Sequence, residues 1–377
     1  MVELPPKKIA ILGPVAPYRS GIARHTSALA KEIASREGTQ VRVFSFSRQY
    51  PKLLFPGEEQ RDPTLAAPGM VEVEECIDTA NPLNWKRTIR KVEMFAPDLV
   101  VIPCWTFFMA PALGAMARSL RRRGIEVVAM VHNARDHEAA GWKNRLLVMQ
   151  LRAADRAVTH NDSLARDIAD IAPQLPTAVT PHPLYDDYPQ SRIMLERTAS
   201  LELLFYGIVR PYKGLDILLE SLAASKNRDI HLTVAGEFWS DVDETRDLIE
   251  RLGIGSRVEL LPGYASDDAT ADLFARSDAL VAPYRTATGS GVLALAAHYQ
   301  RPVIASDIAG LADAVEHGVT GLLFPAGGVS ALARILDEPG LTDRLASMRP
   351  SIVARKSLLG WDRLADAVLS PNPSTKG

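Results

Sequence analysis

Two cations near the middle of the chain have the type and spacing of a phosphate-binding pair. Gly207, Arg210 and Lys213 lie in the pattern Gly-x-x-Arg-x-x-Lys-Gly, between an apolar run and a helical stretch. Arginine offers phosphate oxygens a planar fork of donors, and lysine offers a compact charge. Both would neutralise charge that grows on a departing diphosphate. The alternative is a pair of solvated surface cations, which the regular spacing disfavours.

A second loop offers hydroxyl groups and small residues. It follows the apolar run Ala279–Tyr284 and precedes a helical pattern over Leu293–Tyr299. Amides at a helix N-terminus and nearby hydroxyls suit a phosphate and a sugar. The alternative is a capped helix with no ligand, in which Ser290 or Thr288 is the N-cap residue. The candidate ligand-binding residues of this loop are Thr288, Gly289, Ser290, Gly291 and Val292.

A third candidate loop runs from Gly13 to Ile22, between the first strand and the first helix. Gly21 permits close backbone approach at a helix N-terminus, where an anion is favoured. The loop lacks the spaced-glycine dinucleotide fingerprint, and its prolines, Pro14 and Pro17, remove N–H donors. A tight connection without a ligand is the alternative, and Ser20 as N-cap fits both interpretations.

These loops must be positioned by strands that alternate with helices along the whole chain. Short apolar runs are separated by helical patterns, which is typical of α/β architecture with parallel sheets. The first series of predicted strands is Lys8–Leu12, Gln40–Phe46, Leu99–Ile102, Glu126–Val131 and Ala157–Thr159. The second is Leu201–Tyr206, His231–Ala235, Arg257–Leu261, Ala279–Ala282 and Val303–Ala305. The predicted helices include Ile22–Glu37, Gly214–Ala224, Asp243–Leu252 and Trp361–Leu369.

Two Rossmann-like doubly wound domains account for these segments. We expect a first domain over 1–185, a polar, proline-containing linker over 186–200 and a second domain over 201–356. A C-terminal helix and tail, 357–377, can pack back on the first domain. Ligands of such sheets bind beyond the carboxyl ends of the strands, so a cleft between the domains is the expected site.

Composition describes an ordinary soluble globular protein. The chain has 377 residues, of which 47% are hydrophobic and 23% charged, which excludes disordered, collagenous and disulfide-scaffold classes. Its net charge of −2 excludes a basic nucleic-acid footprint. Residues 1–185 carry 24 Lys and Arg against 19 Asp and Glu, whereas the remainder carries 19 against 26. The chain is therefore a basic half followed by an acidic half.

The two cysteines and one apolar stretch bear on location. Cys76 and Cys104 show neither metal-ligand spacing nor a secretory leader, which favours a reduced, cytoplasmic compartment. Leu99–Ala117 carries no charge, but Pro103 and Pro111 divide it. We therefore predict a buried strand, a loop and a helix there rather than a membrane span.

The motifs of the second half together resemble the donor domain of the family 4 retaining glycosyltransferases. The resemblance rests on the Arg210/Lys213 segment, Pro283, the Gly-Ser-Gly loop, the stretch Arg301–Leu311 and the stretch His317–Phe324. The Gly13–Gly21 loop and the strand end Val131-His132-Asn133 are similar to the family's landmarks in the first half. The family has the GT-B fold, two Rossmann-like domains across a cleft, and uses nucleotide sugars in polysaccharide biosynthesis without a metal or another cofactor.

The resemblance also implies residue roles. Arg210 and Lys213 match the pair that holds the donor diphosphate, with Gly207 in the same segment, and His132 matches a cleft histidine near the transferred sugar. A histidine at a strand end is, on residues alone, as easily structural. Gly21 and Ile22 match the loop that approaches the diphosphate from the other domain. Glu237 and Tyr264 match positions near the nucleotide and its base.

One departure from the family pattern concerns two carboxylates. The family usually has two glutamates, one for sugar hydroxyls and one for ribose, at the positions of Ala287 and Leu295. The donor therefore differs from a common hexose nucleotide, or other residues such as Glu237 hold its hydroxyls, or activity is lost. Thr286, Thr288 and Ser290 offer weaker hydrogen bonds.

The function that follows from the resemblance is transfer of a sugar, with retention, from a UDP or GDP sugar to a glycan, lipid-linked or small-molecule acceptor. A non-catalytic nucleotide-sugar-binding partner subunit and a GT-B epimerase are alternatives. A nicotinamide or flavin oxidoreductase lacks its glycine fingerprint here, and a phosphorylase lacks its length and its lysine motif.

A basic segment predicts a surface for anionic lipid. Residues 80–160 contain 13 Lys and Arg against 6 Asp and Glu, including Lys86, Arg87, Arg90, Lys91 and Arg121–Arg123. Such a run is either a solvated helix end or, with Trp85 or Trp142 at the interface, a peripheral contact with the inner face of a membrane.

Overall fold

The chain divides into two compact units. Unit 1 comprises Met1–Pro181 and Trp361–Gly377, and unit 2 comprises His182–Gly360. The computed structural model describes residues 7–51, 60–62, 65, 67–134, 141–193, 195–239 and 241–370. Most of the predicted loop over 53–69 and the tail over 371–377 lie outside the described residues.

Unit 1 is built on a parallel sheet of seven strands in the order β3-β2-β1-β4-β5-β6-β7. The strands are β1 Lys7–Leu12, β2 Thr39–Arg48, β3 Glu72–Asp78, β4 Leu99–Cys104, β5 Glu126–Val131, β6 Arg156–Thr159 and β7 Thr177–Val179. Its helices are α1 Gly21–Ala34, α2 Pro82–Phe95, α3 Ala110–Arg121, α4 Gly141–Leu151, α5 Asp162–Ile171 and α13 Trp361–Leu369. The order reverses between β1 and β4, which makes that point the topological switch point of a Rossmann-like sheet.

Unit 2 repeats this order with six parallel strands, β10-β9-β8-β11-β12-β13. The strands are β8 Leu201–Tyr206, β9 Ile230–Gly236, β10 Val258–Pro262, β11 Ala279–Ala282, β12 Val303–Asp307 and β13 Gly321–Pro325. Its helices are α6 Leu215–Ala224, α7 Val242–Arg251, α8 Asp267–Arg276, α9 Gly291–His298, α10 Ala309–Ala312, α11 Val329–Leu336 and α12 Leu341–Arg355. The switch point lies between β8 and β11.

The central strands read as continuous apolar runs because helices cover both faces of each sheet. All six residues of β4 and all four of β11 are buried. The prediction for the uncharged stretch Leu99–Ala117 is confirmed, because it forms β4 and then most of α3, with Pro111 in the first turn of that helix. Among the described residues, no helix combines the length and apolar character that crossing a bilayer requires.

Helix α13 packs within unit 1, although it follows unit 2 in sequence. The buried guanidinium of Arg156 donates hydrogen bonds to the carbonyls of Ala367 (2.9 Å) and Val368, and its Nε pairs with Glu126 at 2.7 Å. Arg36 donates to the carbonyl of Asp362 at 2.6 Å. Arg156 thus satisfies carbonyls at the C-terminus of α13, where a cation is also favoured by the helix dipole.

Residues 186–200, whose composition suggests a linker, belong to unit 2 and are bonded to it. Arg197 pairs with Asp278 at 2.7 Å, and Ser191 donates a hydrogen bond to Asp272 at 2.6 Å. The hydroxyl of Tyr299 donates to the carbonyl of Pro189 at 2.9 Å. Ion pairs and hydrogen bonds, which a search for apolar runs does not detect, hold this polar segment.

Glycine at position 214 sets how closely the loop after β8 approaches the loop after β11. Gly214 has φ +65°, and an ideal Cβ there would lie 2.1 Å from the carbonyl oxygen of Pro283. Gly253 has the same φ of +65°, but in the part of the chain that the structure describes no atom lies within 4 Å of its ideal Cβ. The positive φ would strain an alanine at either position, but only at position 214 would its Cβ also collide with neighbouring backbone.

We expect Gly214→Ala to destabilise unit 2 more than Gly253→Ala. The control adds the left-handed strain of an alanine, about 1 kcal/mol, whereas Gly214→Ala must also displace backbone at Pro283. Urea unfolding of the two variants measures the difference. Equal losses of unfolding free energy would show that the loops do not constrain each other.

Candidate functional site

The loop after β8 brings the first predicted site residues of unit 2 together. Gly207 has φ +95°, and its N–H donates to the carbonyl of Ala235 at 2.9 Å. An ideal Cβ on Gly207 would lie 3.3 Å from Cγ2 of Val292 and 3.4 Å from Nζ of Lys213. The absence of a side chain at Gly207 therefore lets the ammonium of Lys213 and the start of α9 approach the same point, beside the switch point.

The ammonium of Lys213 is buried. The residue is 7% exposed and lies in one turn of 3-10 helix, Pro211–Lys213. Within the described part of the chain no carboxylate pairs with it, and its Nζ lies 5.5 Å from the centre of the Tyr284 ring. Burial lowers the pKa of Lys213, and the nearby charge of Arg210 acts in the same direction. An anion at this point would offset both effects.

The guanidinium of Arg210 lies over an aromatic ring that we did not predict as part of the site. Its Cζ is 4.2 Å from the centre of the Trp239 ring, a cation–π distance. The indole N–H of Trp239 donates to Oε1 of Glu237 at 3.2 Å, and the N–H of Val209 donates to the carbonyl of Glu237 at 2.8 Å. The loops after β8 and β9 are thus joined, which places Glu237 beside Arg210.

The hydroxyl-rich loop leads into α9, whose N-cap residue is Ser290. Its side chain makes no cap hydrogen bond, and its Oγ lies 3.5 Å from the hydroxyl of Tyr284. Burial raises the pKa of Tyr284 to about 12, so this hydroxyl stays protonated. Thr288 is buried and Gly289 is exposed.

The hydroxyl of Tyr185 lies 3.3 Å from an ideal Cβ on Gly291, the first residue of α9. Tyr185 is a further residue that sequence spacing did not indicate.

The two positions of the expected glutamates carry no polar side chain. Leu295 is buried on α9, and Ala287 is half-buried in the preceding loop. An ideal Cβ on Gly310 would lie 2.2 Å from the carbonyl oxygen of Ala287, so the backbone there is closely packed against α10. Neither position therefore offers a side-chain hydrogen bond to a ligand.

Tyr264 lies away from the cation pair, beyond β10 at the edge of the sheet. Gly263, with φ +120°, donates its N–H to the carbonyl of Gly236 at 3.0 Å. The Tyr264 ring is exposed. The strand order therefore places Tyr264 two strands away from Gly207, on the side of β9.

In unit 1, Gly21 and Ile22 are the first two residues of α1. Ser20 is the N-cap residue of this helix, and its side chain accepts a hydrogen bond from the N–H of Ala23 at 3.0 Å, which fits both interpretations of the loop. Gly21 is exposed, and no atom of the described residues lies within 4 Å of its ideal Cβ. The N-terminus of this 14-residue helix favours negative charge.

His132 directly follows β5 and lies in a group of histidines. Its ring is perpendicular to that of His25, with 4.5 Å between centroids, and the ring of His160 lies 5.6 Å away. His25 lies on α1, one helical turn after Gly21, so the sequence alone could have predicted that it lies near the candidate loop. His160 gave no such signal, because only the pairing of β5 with β6 brings it to His132.

Comparison with known proteins gives matches to glycosyltransferases in both units. Residues 19–188 match the family model described as Glycosyltransferase Family 4, and residues 200–338 match the model described as Glycosyl transferases group 1. Together these matches cover most of the chain.

Individual relatives agree with the family models. D-inositol 3-phosphate glycosyltransferase 1 of Catenulispora acidiphila is 29% identical over 244 residues, 58% of this chain and only 57% of the relative's length. D-inositol 3-phosphate glycosyltransferase of Actinosynnema mirum is 27% identical over 379 residues, 89% of this chain and 88% of that protein. The crystal structure of Anabaena HepE in complex with UDP has a TM-score of 0.70, with 18% identity, and covers 96% of this chain and 98% of that one.

The two parallel sheets and these structural matches define the GT-B class of glycosyltransferase folds. The chain belongs to glycosyltransferase family 4, with the family 4 domain in unit 1 and the group 1 domain in unit 2.

We expect Lys213→Met to stabilise the free protein and to weaken diphosphate binding. Since the pKa of Lys213 is lowered on folding, the unfolded chain holds this proton more tightly, and the charge destabilises the native state below the ordinary lysine pKa. Losing one charge-assisted hydrogen bond costs binding about 1.5–3 kcal/mol. Urea unfolding and calorimetry with UDP and GDP measure the two effects.

The exposed Lys226 supplies the matched control, because Lys226→Met removes the same charge from the surface of unit 2. That variant should leave both quantities near the wild-type values. A Lys213→Met protein that is less stable yet binds nucleotides normally would contradict the assignment.

Proposed function

We propose that this chain transfers a sugar from a nucleoside diphosphate sugar, of the UDP or GDP type, to a glycan, lipid-linked or small-molecule acceptor. The observation that carries the proposal is that two cations, Arg210 and the buried Lys213, lie near each other beside the switch point of unit 2. No carboxylate of the described residues forms an ion pair with either cation. A diphosphate supplies the missing negative charge and suits both side chains.

The reaction proposed is transfer with retention at the anomeric carbon. As the bond between the sugar and the diphosphate breaks, negative charge grows on the leaving phosphate, and Arg210 and Lys213 stabilise it. The acceptor attacks from the same face, and the leaving phosphate takes the acceptor's proton. Two fixed cations perform the neutralisation, so the proposal requires neither a metal ion nor a carboxylate pair.

In this proposal, two neutral hydroxyl groups and one carboxylate bind the hydroxyls of the donor. With Ala287 and Leu295 in place of acids, Thr288 and Ser290 are the proposed partners of the sugar, and Glu237 beside Arg210 supplies a carboxylate. Neutral hydrogen bonds contribute about 0.5–1.5 kcal/mol each, less than bonds to charged groups. We therefore propose a donor that differs from a common hexose nucleotide.

A non-catalytic nucleotide-sugar-binding subunit is the second candidate function. The apolar residues at positions 287 and 295 favour it, because they remove carboxylates that hold the donor in the family. A GT-B epimerase is a more distant alternative. Release of free nucleoside diphosphate only when an acceptor is present distinguishes a transferase from both.

A test of the transferase proposal begins with a thermal-shift panel of nucleoside diphosphates and their sugars, since a ligand of the native state raises the melting temperature. With the donor so identified, Arg210→Ala and Lys213→Ala should each lower turnover by about 100-fold or more. Arg228→Ala, which removes an exposed arginine of unit 2, is the control. Near-normal transfer by the Lys213→Ala protein would refute the site assignment, and the anomeric configuration of the product by NMR tests retention.

We further propose that unit 1 contacts anionic membranes through the outer face of α2. Lys86, Arg87 and Arg90 are exposed there at helical spacing, with Leu83 (67% exposed) and Met94 (85% exposed) on the same face. Exposed apolar groups among cations are typical of interfacial helices. Trp142 is also exposed and packs edge-on against Phe107 at 5.7 Å.

Several other residues of the basic segment make side-chain contacts within the protein. Trp85 is half-buried, and its indole N–H donates to the carbonyl of Asp78 at 2.9 Å, so we propose the more exposed Trp142 as the interface aromatic. Arg121 pairs with Asp155 at 2.8 Å, and Arg123 pairs with Glu93. We therefore propose α2 and Trp142 as the lipid contact.

Reversing three charges on α2, Lys86→Glu with Arg87→Glu and Arg90→Glu, should lower partitioning onto phosphatidylglycerol vesicles by about 100-fold or more, because each basic residue near an anionic surface contributes about 1 kcal/mol. The matched control reverses Arg228, Arg251 and Arg334, three exposed arginines of unit 2. Co-sedimentation measures both proteins. If the two variants bind equally, or if the wild type ignores anionic lipid, the membrane proposal fails.

A further inference from the structure

Three histidines from three separate elements of unit 1 converge at the carboxyl edge of its sheet. His25 lies on α1, His132 directly follows β5, and His160 directly follows β6. Because β5 and β6 are neighbouring parallel strands, their ends meet at one edge, and α1 supplies the third ring. One ring nitrogen from each histidine lies within 4.8 Å of the other two.

The surroundings of His160 orient its ring as a ligand. Its Nδ1 lies 3.2 Å from the carbonyl oxygen of Thr180, which accepts hydrogen bonds and cannot donate them. Nδ1 is therefore the protonated nitrogen of the neutral ring, and the lone pair is on Nε2, 2.9 Å from Nε2 of His25. Metal-binding histidines are commonly held in this way, with the second ring nitrogen donating to a backbone carbonyl.

His25 lies deepest of the three histidines. His25 is 1% exposed, and its ring packs edge-on against Trp361 at 5.1 Å. Neutral imidazole is the species that coordinates transition metals.

We propose that His25, His132 and His160 form a binding site for one divalent transition-metal ion, with Zn²⁺ as the best match. Three imidazole ligands are a common protein set for this ion and leave a fourth position open for water or an anion. Bonds of about 2.0–2.1 Å in a tetrahedron require ring nitrogens about 3.4 Å apart. The close pair, at 2.9 Å, must open slightly and the wider separations, up to 4.8 Å, must close, which rotations of the rings accomplish.

Solvent reaches this three-histidine site at His132 and His160. These two residues are half-buried, whereas His25 is buried. An ion held by His132 also withdraws that ring from a sugar; this consequence for transfer rests on the proposed function, whereas metal binding does not.

The binding test uses the full chain without an affinity tag, with Co²⁺ as a spectroscopic probe and Zn²⁺ as its competitor. We expect visible absorption typical of tetrahedral Co²⁺ with nitrogen ligands, saturation at one ion per chain, and loss of the signal on adding one equivalent of Zn²⁺. His132→Gln and His160→Gln should each weaken Co²⁺ binding by about 100-fold or more. Circular dichroism establishes that each variant is folded, and two independent variants guard against a failure of one.

His317→Gln is the matched control, because His317 is exposed and lies in unit 2. It should bind Co²⁺ as the wild type does. Wild-type protein without the tetrahedral spectrum, or His132→Gln and His160→Gln proteins with wild-type affinity, would overturn the proposal.

Inhibition of transfer is measured separately. For each protein, activity is expressed relative to its own rate without Zn²⁺. The Zn²⁺ concentration that halves the activity of the His160→Gln protein should rise by the same factor as the dissociation constant of that protein for Zn²⁺. Co²⁺ binding without any transferase activity would preserve the metal site and reject the proposed function. Inhibition that does not follow the dissociation constant would reject the link between the metal and transfer.

Discussion

The burial of the Lys213 ammonium, with Arg210 nearby, is the physical constraint on which the candidate site of unit 2 depends. A buried cation without a carboxylate partner is unfavourable, and a second cation nearby adds to the cost. The protein stabilises Arg210 by the face of the Trp239 ring and places Lys213 near the Tyr284 ring. Such contacts with aromatic rings hold the cations in position and leave their full charge for a ligand.

Close backbone approach is the second requirement of this arrangement. Gly207 leaves space for the Lys213 ammonium, and Gly214 lets the following turn touch the carbonyl of Pro283. An ideal Cβ on Gly236 would lie 2.0 Å from the carbonyl oxygen of Gly207, so the ends of β8 and β9 are also in direct contact. Three loops are thereby fixed at one switch point, and preorganised charge of this kind is what a developing leaving group requires.

The two units share one strand order but hold different chemistry at their strand ends. Unit 2 gathers cations and hydroxyls, which suit a diphosphate and a sugar, whereas unit 1 gathers three imidazoles. Imidazole nitrogens can donate lone pairs to a metal ion, whereas the cations donate hydrogen bonds, so the two groups favour different ligands. The net charge of −2 gives no indication of either group, because both depend on local placement.

Central strands and the cation pair were predictable because their signals are local. Strands β5, β8 and β11 and helix α13 have the bounds that their apolar patterns indicate, since buried parallel strands are short apolar runs between turns. Strand β3, a charged and half-exposed edge strand, was missed because an edge position does not require an apolar run.

The sequence alone determined the alternation of strands and helices, the Arg210–Lys213 spacing and the absence of acids at positions 287 and 295. The tertiary structure decided that Lys213 is buried, that Trp239 lies under Arg210, and that His25 and His160, 135 residues apart, are hydrogen-bonded. The physical reason is that strand order, set by long-range pairing, determines which strand ends are neighbours, and no local pattern of residue types contains that information.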